Sequence, residues 1–96
     1  MPSAQSSYKV ESGKLVKIKI TFDEKIMDLQ ILGDFFLYPE ESLKLIEKAI
    51  EGMDANSDEN SISKIIEEAA QKNRIEMIGV NPQAIAKAIR MAIDSV

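Results

Sequence analysis

The sequence contains no cysteine, no histidine and no tryptophan. The absence of cysteine excludes disulfide bonds, a thiolate nucleophile and zinc or iron–sulfur sites with thiolate ligands. The absence of histidine removes the commonest general base and the commonest transition-metal ligand. Catalysis within these 96 residues would depend on Asp, Glu, Lys, Ser or Tyr. The composition therefore argues against an enzyme that works by itself.

Long apolar runs and clustered glycines are also absent. No window approaches the roughly 20 apolar residues of a transmembrane helix, and the first 13 residues lack the apolar core of a secretory signal. The four glycines lie too far apart for a phosphate-binding loop. We therefore expect a cytoplasmic protein without a membrane partner.

The net charge is −4, and residues 23–60 carry 11 acids against three bases. Phosphate neutralisation requires clustered Lys and Arg, so this balance argues against nucleic acid as the main partner. Lys14, Lys17 and Lys19 form a small basic group, which is more typical of a solvated strand face than of a binding site.

Two segments alternate between apolar and polar residues, as half-buried strands do. The apolar face of the first segment consists of Val16, Ile18, Ile20 and Phe22. The apolar face of the second consists of Met27, Leu29 and Ile31. The short polar break at residues 23–25 predicts that the two strands are antiparallel neighbours.

Three amphipathic helices follow in the second half of the chain. The first is predicted to begin at Pro39 and to end near Gly52, the second spans about residues 61–73, and the third follows Asn81-Pro82. Residues 74–80 favour an apolar connector, although a short strand is possible.

The pattern predicts a single α+β domain over residues 11–96, in the order β-β-α-α-α, with residues 1–10 as a disordered tail. About three helices would cover one face of a small antiparallel sheet of two to three strands.

The segment Gly33-Asp34-Phe35-Phe36 does not fit a simple strand end. Adjacent residues on an extended chain face opposite sides, so both phenylalanines cannot enter one core. One should be buried and the other exposed or in contact with a partner. The glycine beside them allows close approach of another backbone. The segment is therefore a candidate interface.

The sequence also resembles a known family. Four segments carry the resemblance, GKLVKI at 13–18, ILGDFF at 31–36, PEE at 39–41 and GVNP at 79–82. In this order they look like the C-terminal accessory domain of lipoate–protein ligases. The resemblance covers about residues 8–96.

The resemblance implies a fold similar to the sulfur-acceptor and iron–sulfur scaffold proteins, and a role as the stand-alone small subunit of a bipartite, archaeal-type ligase. Its partner would be the catalytic large subunit, in a heterodimer, with lipoyl carrier domains as indirect partners. The assembled enzyme would use ATP, magnesium and lipoate, whereas this chain alone would bind no cofactor and show no activity. It would enable ATP-dependent activation of lipoate to lipoyl-adenylate, which precedes transfer to a lysine of the carrier domain.

For the contact with the large subunit we select five residues, Lys14, Gly33, Asp34, Phe35 and Phe36. No catalytic residue and no metal ligand is assigned. Two other interpretations remain open: a small protein-interaction module unrelated to lipoate, and an independent enzyme in which Lys14 and Asp34 would be the reactive pair.

Overall fold

A computed structural model of the chain describes residues 2–10 and 14–96. Gly13, at the start of the family-like segment, and residue 11, the expected domain boundary, lie outside this described part. The described residues form strands and helices in the order β1 (Ser3–Lys9), β2 (Leu15–Phe22), β3 (Ile26–Gly33), β4 (Phe36–Tyr38), α1 (Ser42–Ile50), α2 (Glu59–Asn73), β5 (Glu76–Ile78) and α3 (Pro82–Asp94).

Strands β1, β2 and β3 form an antiparallel sheet in that order. Every second residue of β2 is buried, from Val16 to Phe22, as the alternation predicts. The register between β2 and β3 shifts between Thr21 and Phe22. Because of this irregularity Ile26 is buried and Met27 is exposed, so the assignment of Met27 to the apolar face is wrong.

The N-terminal segment is not the disordered tail that its small polar residues suggest, because residues 3–9 form β1. It pairs with β2 from Ser3↔Thr21 to Lys9↔Leu15. Ser6 Oγ also donates a hydrogen bond to the Ala88 carbonyl of α3 at 2.6 Å. Backbone pairing with the open edge of β2 stabilises a segment that has little apolar periodicity of its own.

Capping side chains mark the start of two of the described helices. The Asp58 and Asn81 side chains cap α2 and α3, and Pro82 occupies the first turn of α3 as expected. The first helix begins at Ser42 and not at Pro39. Pro39 belongs to a turn instead, in which its carbonyl accepts a hydrogen bond from Ser42 N–H at 3.0 Å.

Residues 76–78 form a strand, so the connector favoured for residues 74–80 is wrong at its centre. This strand, β5, pairs antiparallel with β4 in a second sheet of two strands. We call the β4–β5 pair the ribbon.

The helices lie on one side of the three-stranded sheet. Helix α3 packs on β1 and β2, α1 packs on β3, and α2 packs against both of these helices. The buried side chains of β2 and β3 meet those of the helices in one apolar core. The α+β class and the small antiparallel sheet are therefore confirmed.

Candidate interaction surface

The ribbon displays apolar side chains on its outer face. Leu37 and Met77 are register partners on the inner face, where they are half-buried against the core. Phe36 and its partner Ile78 point outward and are 61% and 46% exposed. Tyr38, two residues along β4 on the same face, is 53% exposed. Because side chains alternate along a strand, each three-residue strand has one side chain that faces the core. Phe36 and Tyr38, two of the chain's five aromatic residues, are therefore exposed to solvent.

The two adjacent phenylalanines separate as the sequence predicts. Phe35 is 8% exposed and belongs to the core, whereas Phe36 lies on the outer face of the ribbon. Phe35 thereby anchors the residue next to it. Of this pair only Phe36 exposes its aromatic ring to solvent.

Gly33 lies where the backbone of β2 and the ring of Phe35 come close to the chain. A Cβ added at Gly33 would lie 2.2 Å from the Leu15 carbonyl oxygen and 2.4 Å from Phe35 Cε1. Real side chains do not tolerate such distances, so the packing of Phe35 requires a glycine here. The backbone that approaches Gly33 is that of β2.

Asp34 also makes an internal contact. Its Oδ1 accepts a hydrogen bond from the backbone N–H of Leu15 at 2.7 Å. This bond joins the start of β2 to the turn that follows β3. Asp34 therefore fixes the base of the segment that carries Phe36.

Lys14 lies beside the other strand of the ribbon. Its side chain packs on Gly79, where an added Cβ would meet Lys14 Cγ at 3.0 Å, and Gly79 has a φ of +85° directly after Ile78. No ion pair joins Lys14 to Asp34 within the described residues. The geometry gives no support to these two residues as a reactive pair.

The structure places the five residues selected from the sequence in three different surroundings. Gly33, Asp34 and Phe35 meet around Leu15, Lys14 contacts Gly79, and Phe36 alone is a prominent exposed apolar side chain. Tyr38 and Ile78 were missed. The signal that could have found Ile78 was the alternation within Ile75-Glu76-Met77-Ile78, which is too short to establish a strand by itself.

Outside the ribbon, the described residues show few features of a metal or ligand site. No group of three or more acidic side chains among them is arranged to hold a metal ion. A depression of about 520 Å³ lies between β1 and the start of α3, and there Lys87 Nζ sits 5.0 Å from the centroid of the Tyr8 ring. No helix in the described part is both long and apolar enough to cross a membrane.

Comparison with known proteins assigns the chain to a family. No protein-family model matches it. It is 30% identical over 86 residues to lipoate-protein ligase A subunit 2 of Thermoplasma acidophilum. The aligned region covers 88% of this chain and 85% of that relative. A solved structure of a bi-partite lipoate protein ligase and its E2 lipoyl domain, from the same organism, contains a similar chain. That chain superimposes with a TM-score of 0.78 at 26% identity, over 93% of this chain and 96% of its own length. The chain therefore belongs to the family of lipoate-protein ligase A subunit 2.

Proposed function

We propose that this chain is the non-catalytic accessory subunit of a bipartite lipoate–protein ligase. It binds the catalytic large subunit and enables ATP-dependent activation of lipoate to lipoyl-adenylate, before the lipoyl group passes to a lysine of a carrier domain. Homology to a ligase small subunit supports the role. The lack of histidine and cysteine agrees with catalytic groups that reside on the partner.

The observation that carries the proposal is the exposed apolar face of the ribbon, formed by Phe36, Tyr38 and Ile78. Aromatic side chains that are exposed in the free subunit and become buried at a partner supply much of the binding energy of protein interfaces. The inner face of the ribbon packs on the core, and Asp34 and Gly33 hold its base, so Phe36 and Tyr38 are presented on a fixed support. Such preorganisation lowers the entropic cost of association.

The role we propose is conformational. A partner that binds the adenylation-competent state of the large subunit more tightly than the other states shifts the population toward that state. Closure of this kind excludes water and completes a catalytic site without any chemical group from the accessory chain. ATP, magnesium and lipoate would then be bound by the assembled enzyme.

Reconstitution tests both parts of the proposal. The purified small and large chains are mixed, and their dissociation constant and the rate of lipoyl-adenylate formation are measured. We expect Phe36→Ala to raise the dissociation constant by roughly 30-fold, the equivalent of about 2 kcal/mol for loss of a central aromatic anchor. Met91→Ala is the matched control, because Met91 is a partly exposed apolar residue on α3.

Two results would contradict different parts of the proposal. Full-rate adenylate formation by the large chain alone would exclude the activating role. Unchanged affinity in both Phe36→Ala and Tyr38→Ala would exclude the ribbon as the interface and leave the role intact. In a pull-down from extract, the catalytic large subunit should be the principal partner, which separates this function from that of an unrelated interaction module.

A further inference from the structure

The three-stranded sheet has one face that the described part of the chain leaves uncovered. Helices α1 and α3 pack on the opposite face, against the buried side chains of β2 and β3. We call the uncovered side the open face. Its outward side chains are Ser3, Gln5, Ser7 and Lys9 of β1, Leu15, Lys17, Lys19 and Thr21 of β2, and Asp28, Gln30 and Leu32 of β3.

The net charge of the open face is opposite in sign to the net charge of the whole chain. Its ionisable residues are Lys9, Lys17, Lys19 and Asp28, three positive charges against one negative charge, which gives +2. Since the chain total is −4, the remaining residues carry −6. The face of the sheet that the described helices leave uncovered therefore has a net positive charge, while the rest of the chain has a net negative charge.

The lysines at the centre of the open face have neutral cross-strand neighbours. Lys17 lies between Ser7 of β1 and Leu32 of β3. Lys19 lies between Gln5 and Gln30 in the same way. The ion pair found in the described residues joins Arg90 to Asp94 on α3. The field of Lys17 and Lys19 is therefore directed to solvent, where it attracts an oppositely charged surface.

An acidic protein surface fits the open face better than other anions do. A long polyanion such as nucleic acid would be repelled by the acidic remainder of the chain. Apart from Leu15 and Leu32 the face is polar, in contrast to the aromatic face of the ribbon. Polar, charge-complementary surfaces favour fast and reversible encounters, whereas apolar aromatic surfaces favour lasting association. A substrate protein that arrives, is modified and leaves requires the first kind of contact.

We propose that the open face binds the protein domain that accepts the lipoyl group, through an acidic surface of that domain. This inference rests on the proposed function, and it assigns to the small chain a direct electrostatic contact with the acceptor. The ribbon would hold the large subunit, and the open face would raise the local concentration of acceptor beside it.

The test compares two double charge reversals in the reconstituted ligase. One variant carries Lys17→Glu and Lys19→Glu. The control carries Lys44→Glu and Lys64→Glu, which make the same change in charge at exposed positions of α1 and α2. The measurements are the KM for the acceptor domain in lipoyl transfer, and the rate of adenylate formation without acceptor.

We expect the Lys17→Glu, Lys19→Glu variant to raise the acceptor KM about tenfold, in the range of electrostatic steering effects. The control should stay close to the unmodified protein. Added salt should raise the KM of the unmodified protein and change that of the Lys17→Glu, Lys19→Glu variant much less, because the Debye length falls from about 10 Å at 0.1 M to about 3 Å at 1 M.

A separate titration keeps this test independent of the proposed function. Acceptor domain is added to the isotope-labelled small chain alone, and amide shifts are followed by NMR. Shifts confined to β1, β2 and β3 would support the inference even if the large chain made adenylate without help. An equal KM in the two variants, or loss of large-chain binding in the Lys17→Glu, Lys19→Glu variant, would overturn it.

Discussion

Asp34 Oδ1 accepts a hydrogen bond from the backbone N–H of Leu15 at 2.7 Å, although the two residues lie 19 positions apart in sequence. This bond closes the end of the β2–β3 pair where the chain leaves the sheet for β4. Asp34, which the sequence selects for the interface, thus also makes a structural contact, and we expect its variants to change the stability of the chain.

Asp34→Ala should lower the free energy of unfolding by about 1 kcal/mol, because the Leu15 N–H loses its acceptor. Asp34→Asn retains an amide oxygen at the same position and should lose less. Urea unfolding of the two variants measures the difference. Equal stability of Asp34→Ala and the unmodified protein would show that the bond contributes nothing. A weakened contact with the large subunit in a fully stable Asp34→Ala would instead place this carboxylate in the interface.

Gly33→Ala should be strongly destabilising, by more than about 2 kcal/mol, because the methyl group would overlap both the Leu15 carbonyl and the Phe35 ring. Gly52→Ala is the matched control. Gly52 has a φ of +96° and open space around it, so an added methyl group meets only backbone strain, about 1 kcal/mol. Thermal unfolding of both variants tests whether Gly33→Ala is the more destabilising of the two. A smaller effect at position 33 than at position 52 would contradict the close approach.

The sequence predicted those features of the structure that depend on residues close together in the chain. The alternation in β2, the start of α3 at Asn81-Pro82 and the division between Phe35 and Phe36 follow from local side-chain patterns, and all three are confirmed. Strand β1 was missed because its small polar residues show little apolar alternation. Strand β5, the less favoured alternative for residues 74–80, is held by pairing with a distant segment. The β4–β5 pair joins residues 36–38 to 76–78, and no local pattern indicates that partnership. Tyr38 and Ile78 could not be assigned to the candidate surface for the same reason.

Glu47→Ala should expose the outer edge of β3. Glu47 Oε2 accepts from Ile31 N–H at 2.8 Å, and Glu51 Oε2 accepts from Leu29 N–H at 3.1 Å. These carboxylates of α1 and its C-cap satisfy donors that an edge strand otherwise leaves open to another chain. Loss of the acceptor at Ile31 should cost about 1–2 kcal/mol.

Glu47→Gln is the control for this edge, since its amide oxygen still accepts a hydrogen bond. We expect it to recover most of the stability lost in Glu47→Ala. Size-exclusion chromatography should also show more self-association in Glu47→Ala than in Glu47→Gln. If the two variants were equally stable and equally monomeric, the carboxylate would not protect the edge.

Asp58 should make the stability of α2 depend on pH. The Ser61 backbone N–H donates to Asp58 Oδ1 at 2.7 Å, and this bond lowers the pKa of Asp58 below its ordinary 3.8, with smaller contributions from the Ser61 side chain and the Arg90 charge. Since the folded pKa is the lower one, the stabilisation is present above pH 3.8 and is lost as the pH falls through the folded value.

Asp58→Asn isolates the charge from the cap. Asparagine caps helices about as well as aspartate, but it carries no charge to interact with the helix dipole and does not titrate. The unmodified protein should therefore have the higher Tm near neutral pH, and the difference should shrink as the solution is acidified below pH 3.8. Thermal unfolding at a series of pH values measures it. A Tm difference that stayed constant through the acid range would mean that the ionised carboxylate adds nothing to the cap, because only the group that titrates can make the difference depend on pH.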